Sequence, residues 1–135
     1  MQDIKYSSAN PGPCCQKIED MINYARPMIS RWPPFHRYTL GEDIMQEMYM
    51  MLRLATKARL RYMNKSTLAD LDTSKAVLEA FVRSANGVVF TDRSECKRRL
   101  ITDRSFGEWT EKINEIGALI GGWMSSVKDR KSNCK

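Results

Sequence analysis

Phe106-Gly107-Glu108-Trp109-Thr110-Glu111-Lys112-Ile113-Asn114-Glu115-Ile116-Gly117-Ala118-Leu119-Ile120-Gly121-Gly122-Trp123-Met124-Ser125-Ser126-Val127 is the stretch that decides the fold of this chain. Phe106, Trp109, Ile113, Ile116, Ile120, Trp123 and Val127 recur at spacings of three and four, which is the seam of an amphipathic helix packing into a bundle. Glu108, Glu111, Lys112, Asn114 and Glu115 fall between them and suit a wet face. Asp103 or Ser105 can cap the first turn, and Glu108 follows Ser105 by three, as a capping box requires. Gly117, Gly121 and Gly122 are costly here, about 1 kcal/mol each against alanine. Close approach of a neighbouring helix, by its backbone or its aromatic side chains, explains them, either inside the domain or between subunits, and Trp123, which follows directly, is grouped with them as a packing residue.

Three further helical patterns precede this one. The first covers about residues 14–32 on Ile18, Met21, Ile22, Ala25, Met28, Ile29 and Trp32, with Pro27 expected to kink or break it. Pro33-Pro34 ends it, and Phe35 to Leu40 reads as a connection. The second covers about 41–64 on Ile44, Met48, Met51, Leu52, Ala55, Ala58 and Tyr62. The third opens at Ser66 or Thr67 and runs to Asn86 on Leu68, Leu71, Val77, Leu78, Phe81, Val82 and Ala85, with Asn86-Gly87 as its stop. Residues 1–13 read as a flexible leader, about 88–104 as a basic exposed loop, and 129–135 as a basic tail. The final helix takes about 105–128. With no convincing strand, the expected fold is all-α, an antiparallel up-down four-helix bundle over 14–128.

At 135 residues the chain is expected to form one domain. It has no apolar run long enough for a membrane helix, and its polar first residues do not read as a secretory signal, so a cytoplasmic location is expected. The cysteines are expected to be free thiols. Cys14 and Cys15 are adjacent, Cys96 lies among charges and Cys134 is in the tail, without zinc-ligand spacing.

The formal charge of +6 points to an acidic partner, most often nucleic acid. In the second helix Glu42, Asp43 and Glu47 come early, while Arg53, Lys57, Arg59, Arg61 and Lys65 come late. That order also complements the helix dipole. An up-down bundle would bring Arg59, Arg61 and Lys65 to the same pole as Lys128, Arg130 and Lys131. Arg53, Lys57 and Arg61, spaced by four, add a stripe. Arg31, His36, Arg37 and the cluster from Arg93 to Arg104, with Lys97, Arg98 and Arg99, would occupy the other pole.

Catalysis finds little footing. His36 is the one histidine and no nucleophile has a paired base in the sequence. The glycines lie on a helical pattern and form no phosphate loop, and Glu-x-x-His pairs for a two-metal bundle are absent. Met45, Met48, Met50 and Met51 read as core filling. The expectation is no enzyme and no cofactor.

The run Glu115-Ile116-Gly117-Ala118-Leu119-Ile120-Gly121-Gly122-Trp123-Met124 resembles the closing signature of the accessory variability determinants, four-helix-bundle proteins of diversity-generating retroelements. The likeness extends through Leu40-Gly41-Glu42-Asp43-Ile44 and Leu78 to Ala85, and covers roughly 14–128. It implies a homopentameric ring or barrel with a basic surface. It further implies a non-catalytic protein that binds the element's reverse transcriptase and template RNA, with cDNA or a hybrid as further ligands, and supports mutagenic copying. By position, Arg83 and the late cations of the second helix match the family's basic residues, whereas Val88 to Arg99 is longer and more basic than the family pattern. The bundle proteins of ribosomal RNA intervening sequences resemble the chain in layout as well. A structural protein-interaction bundle is the reading from a different class.

Overall fold

The computed structural model describes residues 12–61 and 63–133. The expected leader over 1–11, Tyr62, Cys134 and Lys135 lie outside the described residues, as do the side chains of Lys128, Arg130 and Lys131. The chain runs through α1 (Pro13–Ser30), a short α2 (Pro34–His36), a π-helical turn (Arg37–Gly41), α3 (Glu42–Leu60) and α4 (Lys65–Asn86). Two strands, β1 (Val89–Thr91) and β2 (Lys97–Arg99), then precede the long α5 (Asp103–Asn133). The all-α reading holds for the four long helices: α3 packs on α4, α4 on α5, α5 on α1 and α1 on α3.

The apolar stripes meet in one core. Ile18, Met21, Ile44, Met48, Leu68, Leu78, Trp109 and Ile116 are fully or almost fully buried. The ends of the seam in α5 are less enclosed, with Phe106, Trp123 and Val127 only partly buried. Val77 departs from expectation and is 36% exposed. The buried positions of α4 run Leu71, Ser74, Leu78, Val82 and Ala85. Val77 falls just off that arc, and Ser74 faces inward, donating from its hydroxyl to Glu47 of α3.

Several boundaries differ from the sequence reading, and α5 runs on to Asn133, through most of the stretch expected as a basic tail. Helix α1 begins at Pro13 and continues through Pro27 to Ser30, unbroken. The missing N–H falls in its last turn, where few further hydrogen bonds depend on it. The expected connection from Phe35 to Leu40 is helical. Pro34 stands at the first helical position, where proline favours a start instead of forcing a stop. Helix α3 ends at Leu60 and not at Asn64, because Arg61 is extended at φ −115° and ψ 141°. Asn64, and not Ser66 or Thr67, precedes the first residue of α4. Its buried side-chain Nδ2 donates to Ala58 O at 2.9 Å, satisfying a carbonyl at the end of α3, while its own carbonyl accepts from Leu68 N at 2.9 Å.

Gly41 sits where the π-helical turn crosses the end of α1. A Cβ there would lie 2.9 Å from Ile29 Cγ2 and 3.2 Å from the His36 carbonyl. Gly41→Ala is therefore expected to destabilise by about 1–3 kcal/mol, despite alanine's better helix propensity. Chemical denaturation should show a lower midpoint with an unchanged slope.

The stretch expected as a basic loop is a β-hairpin, in which Val89 pairs with Arg99, Phe90 with Arg98 and Thr91 with Lys97, antiparallel. Its three-residue strands are too short to show alternation. The turn is held by Asp92, whose Oδ1 accepts from Ser94 N at 2.9 Å, Ser94 Oγ at 3.0 Å and Cys96 N at 3.0 Å. Arg98 Nε donates to the other oxygen. The Arg98 guanidinium and these N–H groups bring the Asp92 carboxyl down to about 2. Helix α5 is capped by Thr102, and by neither expected residue: Thr102 Oγ1 accepts from Ser105 N at 3.1 Å. Glu108, expected in a capping box, accepts instead from the Tyr24 hydroxyl at 3.0 Å.

Candidate functional site

The late cations of α3 lie on its wet side because Ile44, Met48, Met51, Ala55 and Ala58 take the core side. Arg53, Lys57, Arg61 and Lys65 are exposed, as is Arg83 in the last turn of α4. Among the described residues none of these five forms an ion pair. Their charge therefore faces solvent unneutralised, which is the condition for long-range attraction of an anion.

Arg59 behaves differently. It is half-buried and lines a cavity of about 420 Å³ with Cys14, Cys15, Leu119, Gly122 and Trp123. This cavity brings the end of α3 beside the Gly-Gly-Trp segment of α5. The side chains of Lys128, Arg130 and Lys131, expected at the same pole as Arg61 and Lys65, lie outside the described residues. Burial pushes the Cys14 thiol up to about 12, with a further contribution from Cys15. Burial also raises Cys15, against the opposing pull of Thr56 and Arg59. Both shifts favour the protonated thiol, the less nucleophilic form.

At the other pole the hairpin seats against the end of α1. Phe90, Arg99 and Leu100 share a cavity with Arg31 and Trp32, and the His36 ring lies 6.3 Å from Phe90 and 5.3 Å from Phe35. Two expected nucleic-acid residues are engaged internally. Arg98 is paired with Asp92. Arg99 is paired with Asp103 and also donates to Asn86 Oδ1 at 2.7 Å, tying the hairpin to the end of α4 and the start of α5. Lys97 is exposed.

The glycines of α5 are not alike. A Cβ on Gly117 would meet the Lys75 side chain at 3.3 Å, whereas among the described residues nothing lies within 4 Å of one on Gly121 or Gly122. These two lie on the exposed side of α5, and Trp123 beside them is half-buried.

Sequence reasoning missed a pair of arginine–tyrosine contacts. Arg26 donates to the Tyr49 hydroxyl at 3.3 Å. Arg37 donates to the Tyr38 hydroxyl at 3.4 Å, with its guanidinium carbon 4.9 Å from that ring's centre. Arg37-Tyr38 is visible as a dipeptide. Arg26 and Tyr49 are separated by 23 residues and only the fold joins them.

Among the described residues no three His, Cys, Asp or Glu side chains gather as a metal ion would require. No helix there is long and apolar enough to cross a membrane. A family model described as bAvd-like matches residues 14–127. No curated protein matches the chain.

Proposed function

The chain belongs to the bAvd-like family, and from that premise we propose that it is a non-catalytic accessory protein of a diversity-generating retroelement. In this reading it binds template RNA, or the cDNA made on it, and associates with the element's reverse transcriptase in the cytoplasm. The observation that carries the reading is the set of unneutralised cations formed by Arg53 and Lys57 on α3, Arg61 just past its end, where the expected helical stripe stops, and Lys65 and Arg83 of α4. Each cation that neutralises a phosphate releases counterions, so affinity grows with the number of contacts and falls with salt.

A single bundle offers few such contacts. We propose that the four helices act as an up-down bundle and that five copies form a ring, multiplying the basic surface. The bare helix face at Gly121 and Gly122 is the proposed subunit contact. A titration with structured RNA across salt concentrations, alongside native mass determination, tests the whole reading. Binding that falls linearly on a log-log salt plot, by a particle five times the 15.6 kDa chain mass, is the expected result. Absence of binding at low salt overturns it.

The subunit contact has its own test. Alanine at Gly121 and Gly122 would meet nothing within 4 Å among the described residues and favours the helix by about 1 kcal/mol per site. The Gly121→Ala, Gly122→Ala protein is therefore expected to keep its helical content but lose subunits in native mass spectrometry. Retention of the full assembly would remove these glycines from the interface.

A further inference from the structure

A groove of about 350 Å³ lies between α1, the π-helical turn and the first turns of α3, lined among others by Arg26, Ile29, Arg37, Tyr38, Met45 and Tyr49. We propose that it holds an unpaired nucleotide of the bound nucleic acid, with the base against the tyrosine rings and the phosphate towards the two arginines. This deepens the nucleic-acid reading above and rests on it.

Tyr38 is 66% exposed, so folding of the chain gains little from its ring. The ring is nonetheless held, because Arg37 lies over it and hydrogen-bonds its hydroxyl, and Arg37 is itself anchored by donating to Ser30 O at 3.2 Å. The Tyr49 hydroxyl accepts a hydrogen bond from Arg26 at 3.3 Å. Side chains already ordered lose less freedom on binding, which raises affinity without new contacts. Aromatic rings beside arginines are the recurring means of binding single strands, since every base has a face to stack and every nucleotide a charge to meet.

The occupant follows from the whole lining. Glu42 also borders the groove. Its carboxylate opposes a bare phosphate or an acidic peptide, whereas the amino group of a base can donate to it. In a duplex each base face is covered by its neighbours, so a stacking site engages unpaired nucleotides. The groove thereby adds a preference for single strands to the strand-indifferent charge of α3.

The test compares the full chain with its Tyr38→Ala and Tyr38→Phe variants, each confirmed folded by circular dichroism. A fluorescent single-stranded RNA and a duplex of the same length are titrated by anisotropy at fixed salt. Tyr38→Ala is expected to weaken single-strand binding about tenfold and duplex binding less than about twofold, while Tyr38→Phe, which keeps the ring under Arg37 but loses the hydroxyl bond that orders it, weakens single-strand binding only about twofold to threefold. Since no charge is removed, the salt slope should not change. Equal effects on both RNAs, or none on either, overturn the groove while leaving the basic surface standing. Complete displacement by polyglutamate with no effect of Tyr38→Ala reduces the groove to charge alone and overturns it too. A parent protein that binds neither RNA overturns the nucleic-acid reading and the groove with it.

Discussion

Arg53→Glu, Lys57→Glu and Arg61→Glu, made together, are expected to lower affinity for structured RNA about a hundredfold at low salt. All three side chains are exposed, and none has an ion-pair partner among the described residues. The exchange removes three phosphate contacts and adds three repulsive charges. The salt slope should fall by about 2 to 3, at roughly 0.7–0.9 per lost contact. Glutamate in place of Lys57, in the last turn of α3, also opposes the helix dipole, by about 0.3–1 kcal/mol. A modest drop in melting temperature is thus expected, and circular dichroism at the titration temperature separates it from lost binding. Association with the reverse transcriptase should weaken in parallel if the enzyme is held through the shared RNA. An unchanged titration would free α3 of the role.

Trp109→Ala should have the largest effect on stability. Trp109 is 0% exposed and is the largest fully buried side chain among the described residues. Its loss opens a cavity where α5 meets the other helices, at a cost of about 3–5 kcal/mol. That is a large part of the roughly 5–15 kcal/mol that holds a typical domain folded. The expected melting shift is about 10–20 °C downward. Trp109→Phe is the informative companion. The indole Nε1 is buried without a hydrogen-bond partner, so phenylalanine gives up ring volume but also removes an unsatisfied donor. It should cost well under half as much. Equal losses would mean that Nε1 is satisfied by a buried water.

The four long helices were legible because their stripes are long. Trp109, Ile113, Ile116 and Ile120 repeat often enough to show the period, and all four are buried. Short elements carry no such repetition. The hairpin is made by Asp92 accepting from three donors in its turn and by Arg99 reaching to Asn86, and neither bond shows in hydropathy. The helical start at Pro34 was hidden by the double meaning of proline, which ends one helix and begins another. At the candidate site the cations of α3 could be listed from the sequence, since a helix fixes which side they share. Which cations stay unneutralised could not be. Arg98 and Arg99 look like Arg53 and Lys57 in a string of letters, but Asp92 and Asp103 already occupy them.

Asn64 makes one turn hard to redesign and directs the engineer elsewhere. One side-chain amide closes α3 through Ala58 while the same residue's carbonyl starts α4, so the two helices share a single residue as their joint. An affinity tag or fluorescent label spliced there would break both ends at once. The hairpin tip around Ser94 and Glu95 is the better splice point. It is exposed, and Glu95 already adopts a positive φ of 62°, a backbone state that glycine-containing linkers accept without strain.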